Sequence, residues 1–307
     1  MKVDAVITWV DGGDSEFVAS KERYKQQELG SNKGVLEIGL LNTRFDNVGE
    51  VLYCIQLIRK NLVWVNKIFI LTNGQVPKFL TAEFIDEFGV ILITHSEVFG
   101  KYDKYLPVFN SRSIEAMISE IPDISEEFMY FNDDVFIINK MAYSDFKVEN
   151  KYVIRGLMRF KNIWLDRLQR IIGFKYVEGT VGKREESNSY PNKLMYFTPA
   201  HGPYLINRDL YRKAIESHGG YENIVKYKFR NKKQSWPIGL YINALAKEQY
   251  LCKNYNKDWG YFHGETDSGF DLKKFDGLKF ISAQSLDCLT PSEIQKVLSY
   301  LDNKVSS

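Results

Sequence analysis

Four short apolar runs, each followed by polar or acidic residues, alternate with amphipathic stretches along the first half of the chain. This alternation restricts the folds open to it. Ala5–Val10 is strand-like and stops at Asp11-Gly12-Gly13, Lys67–Thr72 ends at Asn73-Gly74, Val90–Thr94 precedes His95, and Phe128–Phe131 runs into Asn132-Asp133-Asp134. Between them, Gly49–Lys60 sets Val51, Leu52, Ile55, Leu57 and Ile58 near one helical face, and Pro77–Phe88 and Ser111–Ile121 read as further helices. Strands alternating with helices predict parallel βαβ units, and so a Rossmann-like α/β fold with a mostly parallel sheet and helices on both faces. Ligands in such sheets bind beyond the carboxyl ends of the strands. Asp11, Asn73, His95 and the Asp133-Asp134 pair all fall at such ends.

The second half is less regular and reads as largely helical. Ile154–Phe174 mixes bulky apolar and basic residues, Val181–Asn192 is a polar stretch with the character of a mobile loop, and helical patterns return at Asn207–Ser217 and Ile238–Lys247. Near the C-terminus Thr290, Pro291 and Glu293 form an N-cap, a first-position proline and a capping box. With 307 residues and no repeat, low-complexity tract or linker, one composite domain is expected. It divides into an α/β half over 1–138, an insertion or lid over 139–195, and a second half over 196–307.

Hydrophobic residues at 44% and charged residues at 26% suit a globular chain with a sizeable core. A net charge of +2 gives no global case for nucleic-acid binding, so any anion site must be local. Cys54, Cys252 and Cys288 are far apart and odd in number, without zinc-ligand spacing, and read as buried thiols in a reducing compartment. No run approaches the roughly 20 apolar residues of a membrane span, and the N-terminus makes a poor signal peptide. A cytoplasmic protein, soluble or peripheral at the inner membrane face, is expected.

Adjacent carboxylates after a buried strand repel one another unless a cation or hydrogen-bond donors offset the charge. Asp133 and Asp134 are therefore candidates for magnesium or manganese, hard ions that also bind diphosphate, with a solvated turn as the alternative. In Asp11-Gly12-Gly13-Asp14 the glycines allow close approach of a ligand, although a plain turn has the same signature. His201, in His201-Gly202-Pro203, is one of four histidines and could take a proton from a hydroxyl, or be structural. The capping signal around His95, from Ser96 and Glu97, favours a structural part there. Lys226–Lys233 carries five basic residues among eight, interleaved with aromatics, which could serve nucleic acid, phosphate or anionic lipid, with a solvated charged face as the default reading. Arg44 and Arg230 have the fork geometry for bidentate phosphate contacts.

These strings together resemble the stealth proteins, bacterial capsular and exopolysaccharide phosphotransferases related to the animal N-acetylglucosamine-1-phosphotransferase. Asp4–Gly12 is similar to the family's first region. Arg44-Phe45-Asp46-Asn47, Trp64–Ile68, Thr72–Pro77, Thr94–Glu97, Leu106–Ser111 and Tyr130–Asp134 follow its second region in order. The third region is visible at His201–Tyr204 and Phe229-Arg230, whereas Lys279–Ser282 matches the fourth poorly.

The resemblance implies a glycosyltransferase A-like fold and transfer of a sugar 1-phosphate from a nucleotide sugar, UDP-linked, to a glycan or lipid-linked oligosaccharide. It assigns Asp11, His201 and Arg230 to catalysis, with His201 as base or Asp11 in its place. It assigns Gly12, Arg44, Asn73, His95, Asn110 and Asn132 to substrate, and Asp133 and Asp134 to the metal. A metal-dependent glycosyltransferase releasing nucleoside diphosphate, or a non-catalytic glycan-binding protein, are the alternatives. For Arg155–Lys175, Leu157, Phe160, Trp164, Leu168 and Ile171 fall near helical spacing beside arginines. That pattern fits a helix at an anionic membrane surface or one packed on the domain.

Overall fold

In the computed structural model, residues 2–30, 34–36, 40, 48–160, 195–245, 247–253, 258–267 and 271–307 are described. The chain runs β1 (Val3–Thr8), α1 (Ser15–Gly30), α2 (Glu50–Asn61), β2 (Val65–Thr72), α3 (Ala82–Phe88), β3 (Val90–Thr94), α4 (His95–Phe99), α5 (Ser111–Met117) and β4 (Glu127–Asn132). It continues through β5 (Val135–Ile137), β6 (Lys147–Val148), β7 (Lys151–Phe160), β8 (Met195–Pro199), β9 (Tyr204–Asn207), α6 (Arg208–Glu216), α7 (Glu222–Val225) and α8 (Pro237–Ala244). The last elements are β10 (Tyr250–Lys253), β11 (Trp259–His263), β12 (Phe280–Gln284) and α9 (Pro291–Ser306).

The central sheet has the order β3-β2-β1-β4-β9. Its first four strands are parallel and β9 is antiparallel to β4. Ala5, Val6, Ile7, Ile68, Ile70, Leu71, Phe128, Met129 and Phe131 are fully buried. Continuous apolar runs of this kind are what a parallel sheet covered on both faces demands. Asp4, buried within β1, has its carboxylate satisfied by Asn66 Nδ2 (2.9 Å), the Lys67 amide (3.1 Å) and the Ser125 amide (2.9 Å). It ties β1, β2 and the approach to β4 together at the amino-terminal edge of the sheet.

β1 lies between β2 and β4, the strands that lead away on either side of it, and this is the topological switch point where a crevice opens at the carboxyl ends. Thr8 pairs with Asn132 there. Beyond Asn132 the chain turns at Asp133-Asp134 and leaves as β5, which pairs antiparallel with β12, itself parallel to β11. A third sheet has the order β10-β7-β6, with β8 added antiparallel on β7.

The α/β class and the helices at α2, α5, α6 and α8 agree with the sequence, and α9 starts with the Thr290–Glu293 capping box. The second half contains, besides its helices, the five strands β8–β12, which the pattern did not signal. Helical spacing misled at residues 155–160, which belong to strand β7, paired with β6, β8 and β10; the rest of the expected helix, residues 161–175, lies outside the described residues. Pairing partners that lie far away in sequence overrode the local periodicity. Arg155 is buried, with Nε 3.0 Å from Asp258 Oδ2 and a guanidinium nitrogen donating to the Asp145 carbonyl at 2.9 Å, so it cannot serve a membrane surface. Much of the expected insertion, residues 161–194, also lies outside the described residues. Cys54 is buried as expected, but Cys288 is exposed. Among the described residues no helix is long and apolar enough to cross a membrane.

Candidate functional site

The Asp133-Asp134 turn and His201, 67 residues from Asp134, meet at the carboxyl edge of β4. His201 Nε2 lies 3.0 and 3.1 Å from the two carboxylate oxygens of Asp134. Their side chains are 23% and 18% exposed, open enough to reach a solute yet dry enough to strengthen a charge-assisted bond. His201 sits on the link between β8 and β9, followed by Gly202, where a Cβ would come within 2.5 Å of the Phe280 ring. Only glycine lets this link press against β12.

Asn132 bridges the central sheet to the histidine. Its Oδ1 accepts from Tyr130 O–H (2.8 Å), whose oxygen is 3.2 Å from Thr8 Oγ1, and its Nδ2 faces His201 Nε2 and Nδ1 at 3.3 and 3.4 Å. On the other side, Gln284 Nε2 lies 3.1 Å from His201 Nε2.

Negative charge accumulates behind this pair. Burial, then the neighbouring Asp134 and Glu50, raise the Asp133 carboxyl well above the carboxylate range. Glu50, 6% exposed at the start of α2, is pushed up to about 7, chiefly by burial and further by Asp134 and Asp287. Burial and the charges of Asp133 and Asp134 raise the Cys54 thiol. Among the described residues neither Asp133 nor Glu50 pairs with a lysine or arginine. No three His, Cys, Asp or Glu side chains among them form a closed metal cage. Asp133, without a cationic partner among the described residues, and Asp134, whose carboxylate also meets His201, are oxygen donors of the kind a hard divalent ion such as magnesium takes, with water and phosphate oxygens completing its shell.

The remaining candidates divide by position. Asp11 lies on the loop after β1, its Oδ1 accepting from the Gly13 amide at 2.9 Å. Gln75 braces that loop, accepting from the Asp11 amide (2.7 Å) and donating to its carbonyl (2.9 Å). Gly12 is buried in this loop, and Asn73 is exposed at the end of β2. Arg230 donates to Ser111 Oγ at 2.8 Å and lies near Glu115, whose carboxyl burial raises above its ordinary range while the charges of Arg230 and Arg112 offset part of that rise. Arg44 lies outside the described residues.

Two expected substrate contacts are placed elsewhere. His95 is buried at the end of the edge strand β3, and desolvation lowers its pKa to about 3, so it is a neutral core group. Asn110 is buried as the N-cap of α5. Its Oδ1 accepts from the Arg112 amide (3.1 Å), and its Nδ2 donates to Gln234 Oε1 (2.8 Å) and the Tyr227 carbonyl (3.3 Å). Both amide hydrogens of Asn110 are used in these bonds, and the side chain is buried. In the basic string, Lys228 Nζ donates to the carbonyls of Tyr105 (3.1 Å), Leu106 (3.4 Å) and Pro107 (3.1 Å), an internal tie and not a solvated charge.

Sequence reasoning missed Glu50, Gln75, Ser282 and Gln284. Glu50 stood inside an apolar helical pattern that disguised its charge. Ser282 and Gln284 lie at or just beyond the segment whose poor match to the fourth region drew attention away from it.

An α/β sheet with carboxylates and a histidine gathered at its switch point defines a class of ligand-binding and transferase sites. Residues 1–28 match "Stealth protein CR1, conserved region 1" and residues 44–155 match "Stealth protein CR2, conserved region 2". Both matches are to conserved regions of stealth proteins, and together they cover less than half of the chain. It is 40% identical over 146 residues to the capsular polysaccharide phosphotransferase LcbA of Neisseria meningitidis, a match over 47% of this chain and 37% of that protein. It is 26% identical over 241 residues to the capsular polysaccharide phosphotransferase eps5J of Streptococcus thermophilus, over 76% of this chain and 92% of that one. The chain thus spans little more than a third of the first relative and most of the second. Among solved structures, the galactosyltransferase LgtC superposes over 97% of this chain at 10% identity and a TM-score of 0.43, too distant to inform function.

Proposed function

We propose that this protein transfers a sugar 1-phosphate from a nucleotide sugar, UDP-linked, to a hydroxyl of a surface glycan or lipid-linked oligosaccharide. The observation that carries the reading is the His201–Asp134 pair, set beside Asp133 at the carboxyl edge of the central sheet. The acceptor oxygen attacks the β-phosphorus, the bond from that phosphorus to the bridging oxygen breaks, and nucleoside monophosphate leaves. His201, 3.0 Å from the Asp134 carboxylate, is the residue that would take the hydroxyl proton. Asp133 and Asp134 are the residues that would hold magnesium or manganese, and the ion when bound supplies positive charge against the diphosphate. Asp11, Gly12 and Asn73 face the donor from the ends of β1 and β2, and Arg230 with Arg44 bears on its phosphates. Phosphoryl transfer depends on positioning and charge more than on covalent chemistry, which matches this inventory.

The test is incubation with a panel of nucleotide sugars and acceptor glycans, with and without magnesium. Acceptor-dependent release of nucleoside monophosphate is expected. Release of nucleoside diphosphate would assign attack at the sugar carbon instead, and no release with any donor would leave a glycan-binding protein.

A further inference from the structure

Three aromatic side chains stand in a row on β11. The rings of Trp259 and Tyr261 are 5.8 Å apart between centroids, and those of Tyr261 and His263 are 6.2 Å apart. They occupy alternate positions of one strand, so the strand repeat sets them on one face. β11 pairs in register with β12, Trp259 opposite Phe280, Tyr261 opposite Ser282 and His263 opposite Gln284. Side chains of paired residues share a face of the sheet, and on this face β12 meets His201. Ser282 Oγ donates to the His201 carbonyl at 2.5 Å, and Gln284 Nε2 stands 3.1 Å from His201 Nε2. β11 is the outer strand of this sheet, so the row lies beside His201 at the sheet's edge.

The row grades from buried to open. Trp259 is buried, with Nε1 donating to Ser282 Oγ at 3.0 Å, whereas Tyr261 and His263 are half-buried. Tyr261 is held in place by its hydroxyl, which donates to Gln284 Oε1 at 2.6 Å, so a single side chain spans from the tyrosine to His201. A ring already fixed loses little freedom when a ligand packs on it. The charges around the row are negative. Burial first, then Asp134, Asp267 and Glu265, push the Tyr261 hydroxyl up. Glu265 is exposed, and Asp267 accepts from the His263 amide at 2.9 Å. Such surroundings repel a phosphate and suit an uncharged ring rich in hydroxyls, which carboxylates can accept from while its C–H face lies on an aromatic ring.

We propose that Tyr261 and His263 form the platform for the acceptor's sugar, an uncharged pyranose ring whose hydroxyl reaches His201. Calling that sugar the acceptor rests on the function proposed above; a carbohydrate subsite on β11 does not.

Saturation-transfer NMR on the full chain tests the platform, with the methyl glycosides of glucose, galactose, N-acetylglucosamine and N-acetylgalactosamine as probes. Binding of at least one glycoside is expected. Tyr261→Leu and His263→Leu should each raise its dissociation constant about five-fold, and His263→Phe, which keeps a ring, should restore it. The His263 ring holds little of the fold, meeting only the Glu265 amide at 3.3 Å and Ser285 Oγ at 3.5 Å among its hydrogen-bonding neighbours, so these two variants decide the matter even where Tyr261→Leu fails to fold. In the transfer assay His263→Leu should raise the acceptor KM by a similar factor and leave the donor KM unchanged. Binding of none of the four glycosides, or equal binding by wild type and His263→Leu, overturns the platform, whether or not nucleoside monophosphate is released. Sugar binding that depends on the His263 ring, in a protein that releases no nucleoside monophosphate, would support the subsite and reject the reaction.

Discussion

Replacing Glu50 by Gln removes one charge from the acidic group behind the site and little else. The Glu50 carboxylate accepts from the Val48 amide at 2.6 Å, and the glutamine Oε1 can accept the same bond. Moving the carboxyl from its ordinary 4.5 to about 7 means that ionising it in the folded protein costs about 3.4 kcal/mol, at about 1.36 kcal/mol per pH unit. Because the folded pKa is raised, the folded state binds the proton more tightly than the unfolded chain. Stability from this group is fully present below pH 4.5, falls as pH rises toward 7, and is flat above. Most of that difference develops between pH 5 and pH 8, so Glu50→Gln should gain about 2.5 kcal/mol more over wild type at pH 8 than at pH 5. Urea unfolding of both proteins at a series of pH values measures it, provided the slopes m agree. A stability difference that does not change with pH would refute the account of a buried, charge-crowded carboxyl.

His201→Ala should reduce acceptor-dependent nucleoside monophosphate release by about 10²- to 10⁴-fold, measured at saturating donor. Magnesium should raise the melting temperature of the wild type, and Asp133→Asn should abolish that rise; an equal rise in both would remove Asp133 from the metal. Arg155→Met leaves Asp258 buried without its cation and should cost about 3 kcal/mol in denaturant unfolding. Thr290→Ala breaks the capping box of α9 and should cost about 1 kcal/mol in the same assay.

The central sheet was legible because its strands are apolar on both faces and end in abrupt polar stops, and β1, β2, β3 and β4 lie within a residue or two of the expected runs. Asp133, Asp134 and His201 were legible as residue types in suggestive places. Their meeting was not, because it depends on the fold bringing the β8–β9 link back to the turn after β4. His95 and Asn110, assigned to substrate by the resemblance, are both buried, which a string of letters does not show; for His95 the capping signal at Ser96 and Glu97 already favoured a structural part. β7 was lost to periodicity, since its residues repeat at helical spacing while their partners lie on β8 and β10. Gln284 carried no signal at all, because its place beside His201 comes from the pairing of β12 with β5 and β11.

The Asp133-Asp134 turn is also the corner at which one continuous segment passes from the central sheet into the sheet of β5, β12 and β11. Any rocking of those two sheets against each other must therefore be absorbed at these two residues. It would change the angle between the carboxylates and the spacing from Asp134 to the histidine together. Substitutions far away, in the packing of β11 or in the seat of Phe280 on Gly202, should accordingly act like adjustments to a gear mesh: they set how the two carboxylates engage without replacing either one.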